Sequence, residues 1–290
     1  MVSLGRLALL SATLLTALLA LSVVLGGVLT GGGGAVVVYA APTLLQLANE
    51  AAGRSEEIRA DIRVLGSVAA LRLIQQGRVP DVYLTVDAEL LREIDGQQRR
   101  SMVLGYFRLH LVCREPLGLR GLGEARIGLA DPNTAPIGYR SLAALYWLST
   151  RYNLTSLDEV TRSLSVSFTE EGGGSVVIDA RQFRAAGRFS ARDDLAGVAS
   201  LFEAGAVDCI FAHTPFIVYK RYGERYSVID LPEEIQFARD PATRFFAITH
   251  SGVFEVKRFV GAAVSFSPAG DRFLEALEAL DPESFGLARE

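Results

Sequence analysis

The chain has 290 residues, half of them apolar, enough for one large domain or two lobes of ordinary size with a buried core. A formal net charge of −4 and a pI near 5.6 argue against nucleic acid as a partner. Lys220 and Lys257 are the only lysines, so nearly every cation is arginine, and no internal repeat occurs at solenoid spacing.

Residues 1–34 are expected to stand apart from the fold. Arg6 is the only charge before Glu50, and every residue from Leu7 to Thr30 is apolar or small. As a helix this run spans about 36 Å, enough for a bilayer core of roughly 30 Å. A cleaved signal peptide usually has an apolar core of only about 7–15 residues, and no small-x-small cleavage site ends this one. The reading is an uncleaved anchor, with a cleaved signal as the alternative. Arg6 favours a cytoplasmic N-terminus. Gly31 to Gly34 would be a flexible tether, and the rest of the chain would lie outside.

Strands and helices then alternate. Ala35–Ala40 is a continuous apolar strand of the kind buried in a parallel sheet. Ala41-Pro42-Thr43 turns into helix Leu44–Gly53. Strand Ile62–Leu65 leads through Gly66-Ser67 to helix Val68–Gln76, stopped by Gly77. Strand Asp81–Val86 follows, with Asp87 capping the next helix. Tyr106–Cys113 breaks the rhythm as one long strand with no helix ahead of it. A second series begins with strand Arg126–Ala130, the turn Asp131-Pro132-Asn133-Thr134-Ala135-Pro136, and helix Gly138–Tyr152. It continues, after a polar stretch, with strand Ser175–Asp179, helix Asp194–Ala204 and strand Val207–Phe211, which ends in Ala212-His213-Thr214-Pro215. Strand Val260–Phe266 and helix Ala269–Leu280 close the chain. The pattern predicts an α/β protein of two lobes, each a mainly parallel sheet covered by helices, joined by crossing strands. The expected bounds are 35–107 for the first lobe, 108–255 for the second, and 256–290 for a return strand and helix on the first.

Four strand-to-helix turns carry candidate donors: Thr43, Ser67, Arg140 with Tyr139, and Thr214 with His213. In open α/β sheets such turns gather at the carboxyl ends of the strands, where ligands bind. Hydroxyls and the unpaired N–H groups of a helix start suit an ionised oxyanion. Ser and Thr are also ordinary N-caps, so it is their recurrence at several turns that points to one cleft. His213 is either an anion donor or a capping or core residue; His110 and His250 read as structural. Asn153-Leu154-Thr155 has the form of a glycosylation sequon, a pattern that often arises by chance. No Gly-x-Ser-x-Gly, His-Glu-x-x-His or Walker loop is present, so no catalytic constellation stands out.

These motifs, in order over Val36–Leu280, resemble the substrate-binding component of ABC transporters for molybdate and tungstate. Val38–Leu44 resembles the family's first ligand-binding turn, with Thr43 in place of its Ser, and Gly66-Ser67-Val68 resembles the second. Pro80–Asp87 resembles its Pro-Ala-Asp-Val stretch. Asp131-Pro132-Asn133 with Pro136-Ile137-Gly138-Tyr139-Arg140 resembles the archaeal Asp-Pro-Asn…Pro-Cys-Gly-Tyr-Arg signature. Ala204–Phe211 and Leu231–Ile235 match later pieces. The resemblance implies a two-lobed periplasmic-binding-protein (type II) fold that closes on tungstate or molybdate. Its ligand set would be Thr43, Ser67, Asn133, Tyr139, Arg140, His213 and Thr214. It also implies delivery to an ABC permease, no cofactor, no metal site and no catalytic residue. The expected form is a monomer, in contact with the membrane only through its N-terminal segment. Where archaeal members carry two carboxylates that complete six-coordination of the metal centre, this chain has Ala135 and Ala212, which implies a ligand that stays tetrahedral. Sulfate or another small anion, or an anchored enzyme with an anionic substrate, are the alternatives. By the same resemblance Cys113 and Cys209 would sit on neighbouring antiparallel strands, either as buried thiols or as a disulfide.

Overall fold

The structure is a computed structural model that describes residues 34–54, 58–94 and 96–289. The predicted anchor falls outside the described residues. Among those described, no helix is long and apolar enough to cross a membrane.

The run Val36-Val37-Val38-Tyr39-Ala40 forms strand β1 and is almost wholly buried, as its β-branched content requires. A short 3-10 turn, Pro42–Leu44, leads into helix α1 (Leu45–Gly53). Then come β2 (Ala60–Val64), α2 (Ser67–Gln75), β3 (Val82–Thr85) and a 3-10 segment, Ala88–Ile94. The strand predicted as Tyr106–Cys113 is two strands, β4 (Arg100–Phe107) and β5 (Leu109–Cys113). Beyond them lie β6 (Ile127–Ala130), α3 (Pro136–Thr150), α4 (Leu157–Leu164), β7 (Ser167–Glu171), β8 (Ser175–Asp179) and β9 (Phe189–Arg192). Helix α5 (Leu195–Glu203), β10 (Cys209–His213), α6 (Thr214–Lys220) and β11 (Ser227–Asp230) follow. The chain ends with β12 (Arg244–Thr249), β13 (Gly252–Glu255), β14 (Phe259–Ser265) and α7 (Pro268–Glu278).

Three sheets result. The first has the order β2-β1-β3-β14-β4, the second β11-β5-β10-β6-β9, and the third β13-β12-β8-β7. In the first, β2, β1 and β3 are parallel and β14 runs antiparallel to β3 and β4. In the second, β10, β6 and β9 are parallel, with β5 antiparallel to β10 and β11. The chain leaves the first sheet at Arg108 and returns to it between Glu255 and Phe259. Arg108 is where the predicted long strand breaks. Its carbonyl accepts from Thr214 N at 3.1 Å and its N–H donates to Thr214 Oγ1 at 3.3 Å, so the backbone groups freed by leaving one sheet are satisfied by the start of α6.

Helix α3 is buried around its whole circumference from Pro136 to Ser149, packed against β6, β8 and β10. Gly138 sits where an added Cβ would lie 2.5 Å from Ala130 O and from Pro132 N, so only glycine lets the helix begin so close to the turn before it. Cys113 and Cys209 face each other in the β5–β10 register and form a disulfide with Cα atoms 4.1 Å apart. Helix α7 packs on α1 and β14.

Candidate functional site

Five chain turns meet in one small cavity. Thr43 comes from the 3-10 turn after β1, Gly66 and Ser67 from the start of α2, Ala135 from the start of α3, Asp194 from the start of α5, and His213 from the end of β10. The cavity has about 10 Å³ of room, the space of roughly one water-sized sphere. The N-caps of α2 and α3, Gly66 and Ala135, place no side chain on the first-turn N–H groups. Of those groups, Gly138 N donates to Ala135 O at 2.9 Å and Ala69 N to Thr134 O at 3.0 Å, and the positive end of each helix dipole lies behind the first turn.

The hydroxyls are poised as donors. Ser67 Oγ accepts from Val86 N at 3.2 Å, which leaves its proton to point elsewhere. Thr43 Oγ1 lies 2.8 Å from His213 Nδ1. His213 is 1% exposed, and burial, helped by the charges of Arg140 and His110, holds its pKa well below the usual imidazole range. The ring is therefore neutral near pH 7 and carries one N–H. If Nδ1 holds the proton, it donates to Thr43 and the Thr43 O–H is left over. If Nε2 holds it, Thr43 donates to Nδ1 and Nε2–H is left over, for Nε2 is buried with no partner among the described residues. Either way the pair keeps one donor without an acceptor among the described residues. The stacked Phe107 and Phe259 rings both meet the imidazole in T-shaped contacts, with centroids 5.0 and 4.3 Å away.

Of the seven residues singled out by sequence, Thr43, Ser67 and His213 line this cavity; Asn133, Tyr139, Arg140 and Thr214 do not. Each of the four has its polar atoms bound within the protein. The Arg140 guanidinium is fully buried, donates to Asp87 Oδ2 at 2.8 Å and to the Lys257 and Arg258 carbonyls at 2.9 and 3.3 Å, and covers the Phe259 ring. The Tyr139 hydroxyl donates to the same carboxylate oxygen of Asp87, and burial, then Asp87, pushes its pKa well above the phenolic range. Asn133 donates to Asp131 Oδ1 and the Ala180 carbonyl and accepts from His250 N. Thr214 Oγ1 is 3.0 Å from His110 Nε2, and His110 Nδ1 is 3.0 Å from Asp230 Oδ1. That hydroxyl–imidazole–carboxylate line ties α6 to β5 and β11, outside the cavity.

Gly66, Ala135 and Asp194 also line it, with apolar residues such as Val86, Ile137 and Leu195 between them. Asp194 Oδ1 is engaged as the N-cap of α5, accepting from Gly197 N at 2.8 Å. Its cap position before an apolar helix was readable in sequence, but not its place beside the cavity.

A model of the bacterial extracellular solute-binding protein family matches residues 36–279, most of the chain. The chain belongs to this family. Among solved structures, the periplasmic molybdate-binding protein of Azotobacter vinelandii superposes with a TM-score of 0.62 at 16% identity, covering 88% of this chain and 99% of that one. Peb3 from Campylobacter jejuni gives 0.51 at 10% identity, over 88% and 100%. A search of curated protein sequences gave no significant match. At such identities the superpositions establish the fold, that of a periplasmic binding protein. This solute-binding protein thus has its cavity where such folds gather the carboxyl ends of their parallel strands.

Proposed function

We propose that this solute-binding protein captures a small tetrahedral oxyanion, tungstate or molybdate, outside the cytoplasm and hands it to an ABC permease. The observation that carries the reading is the cavity itself: a space of about 10 Å³ lined by Thr43, Ser67 and His213 at the starts of helices. That space holds one water, far below the about 300–1,000 Å³ of pockets for organic ligands, and an ion of four oxygens enters it only as the two sides part. Neutral donors around it match a dianion, and the likeness in fold to a molybdate-binding protein supports the same choice.

Ala135 in the lining has no side-chain oxygen to give, and Asp194 Oδ1 is engaged as the cap of α5. The bound ion therefore keeps four oxygens and takes no carboxylate ligand. Its contacts come from Thr43 and Ser67 on the side of the first sheet and from His213 and the α3 start on the side of the second. An ion that touches both sides favours the closed arrangement. An enzymatic reading would need a nucleophile and base converging on the cavity, whereas the Thr214–His110–Asp230 line lies elsewhere.

Calorimetry with tungstate, molybdate and sulfate tests the proposal on the intact protein and on Thr43→Ala and Ser67→Ala. Each substitution should weaken tungstate binding by about 1–3 kcal/mol, the scale of a lost hydrogen bond to a charged group. Heat from none of the three ions would end the oxyanion reading. A bound-ion structure with a carboxylate oxygen on the metal would end the tetrahedral one.

A further inference from the structure

Helix α2 reaches over to the other side of the cavity at three points. Ala69 N, a first-turn N–H, donates to Thr134 O at 3.0 Å. Arg72 Nη2 donates to Asn133 O at 3.0 Å, and Arg72 Nε and Nη2 donate to Ser251 Oγ at 3.2 and 3.0 Å. Helix α2 packs on β1 and β3 of the first sheet. Asn133 and Thr134 belong to the turn between β6 and α3, and Ser251 to the turn between β12 and β13. Gly66 permits the approach: a Cβ there would lie inside van der Waals contact with the Thr134 carbonyl. The N-terminus of α2 is thus capped from across the cavity rather than by its own N-cap, which carries no side chain.

The receiving side is stiff. Asn133 is held through its own side chain to Asp131, Ala180 and His250, so the carbonyl it offers Arg72 is fixed in place. Arg72 itself does not line the cavity.

We infer that Arg72 is the clasp of the closed form, a positioning residue that sets how long the ion stays and does not touch it. This rests on the reading above, that the two sides close about a bound oxyanion. Opening must break all of the Arg72 bonds, while the open form offers Arg72 only water. The clasp therefore acts on release. A guanidinium that merely attracted a dianion would act on capture, since rim charges govern association rates.

The test is stopped-flow binding of tungstate to wild type, Arg72→Ala, Arg72→Lys and Ser251→Ala. Arg72→Ala should raise the dissociation rate about tenfold, the scale of losing one or two hydrogen bonds from a charged donor, with association within about twofold. Arg72→Lys should lie between, and Ser251→Ala should add nothing on the Arg72→Ala background. A loss confined to the association rate, or no change in dissociation, overturns the clasp. A second readout does not need the ion: spin labels at the exposed positions Val79→Cys and Val253→Cys report the width of the cleft. Arg72→Ala should move the distance distribution of the ion-free protein outward, and an unchanged distribution overturns the proposal. Should wild type fail to bind tungstate, the oxyanion reading falls and the label distances alone decide the clasp.

Discussion

Two buried side chains set testable limits. Asp87 and Arg140 are 1% and 0% exposed at their side chains, and their ion pair joins the end of β3 to the start of α3. Removing one partner strands a buried charge, so Asp87→Asn should cost about 3–5 kcal/mol of unfolding free energy, measured by denaturant titration. His213 gives a pH signature. Its folded pKa lies well below the usual value because it is buried. Above about pH 6.5 the imidazole is neutral in both folded and unfolded chains and contributes no pH dependence. Below that, the unfolded chain takes up a proton that the folded one refuses, so stability falls as pH falls, by at most about 1.4 kcal/mol per unit from this residue. Between pH 6.5 and 5, His213→Asn should flatten that decline; an unchanged slope would mean that His213 is not held neutral. At this scale the sequence marked turns that meet at the cavity but not where their side chains point. Arg140 and Tyr139 looked like anion donors because they follow the Asp131–Pro136 turn. Asp87, fifty-odd positions away, takes them instead, and no local pattern reveals that pairing.

The elements were more legible than their partners. Strand β1 declared itself by a continuous apolar run, and α7 was read as Ala269–Leu280, close to its observed Pro268–Glu278 behind the Ser267 cap. The third sheet did not, because β7 is the polar, largely exposed sequence Ser-Phe-Thr-Glu-Glu and gains its structure only by pairing with β8. The long strand around Arg108 was read as one piece since periodicity cannot show a change of sheet. The β5–β10 pair carries the clearest element-scale prediction. Its disulfide closes a loop with a sequence separation of 96, and β10 ends in His213. In the chain-entropy account such a crosslink contributes about 4–5 kcal/mol. Replacing both Cys113 and Cys209 by Ala should lower the unfolding free energy by an amount of that order. A double variant as stable as the parent would show that packing alone fixes the pair.

For the whole molecule, the alternation of strands and helices foretold an α/β fold of two lobes, and the chain leaves the first sheet at Arg108 and rejoins it before Phe259. What no pattern could supply is the distance between turns that lie far apart in sequence, and the cavity is made of nothing else. The N-terminal segment poses the remaining question at this scale. Val36–Glu290 forms a compact unit by its own contacts. A protein comprising residues 34–290 should therefore fold, remain in solution and bind tungstate with the affinity of the full chain. The full chain carries the apolar run Leu7–Thr30 behind a single charge, Arg6. If that run is an uncleaved anchor, the native protein should stay with membranes through alkaline and high-salt washing, and its N-terminal peptides should still be found by mass spectrometry. The shortened protein should be released by the same washes. A native soluble form that begins near Gly31 would replace the anchor by a cleaved signal, and would leave the cavity, the disulfide and the Arg72 contacts as they are, since none of them involves residues before Val36.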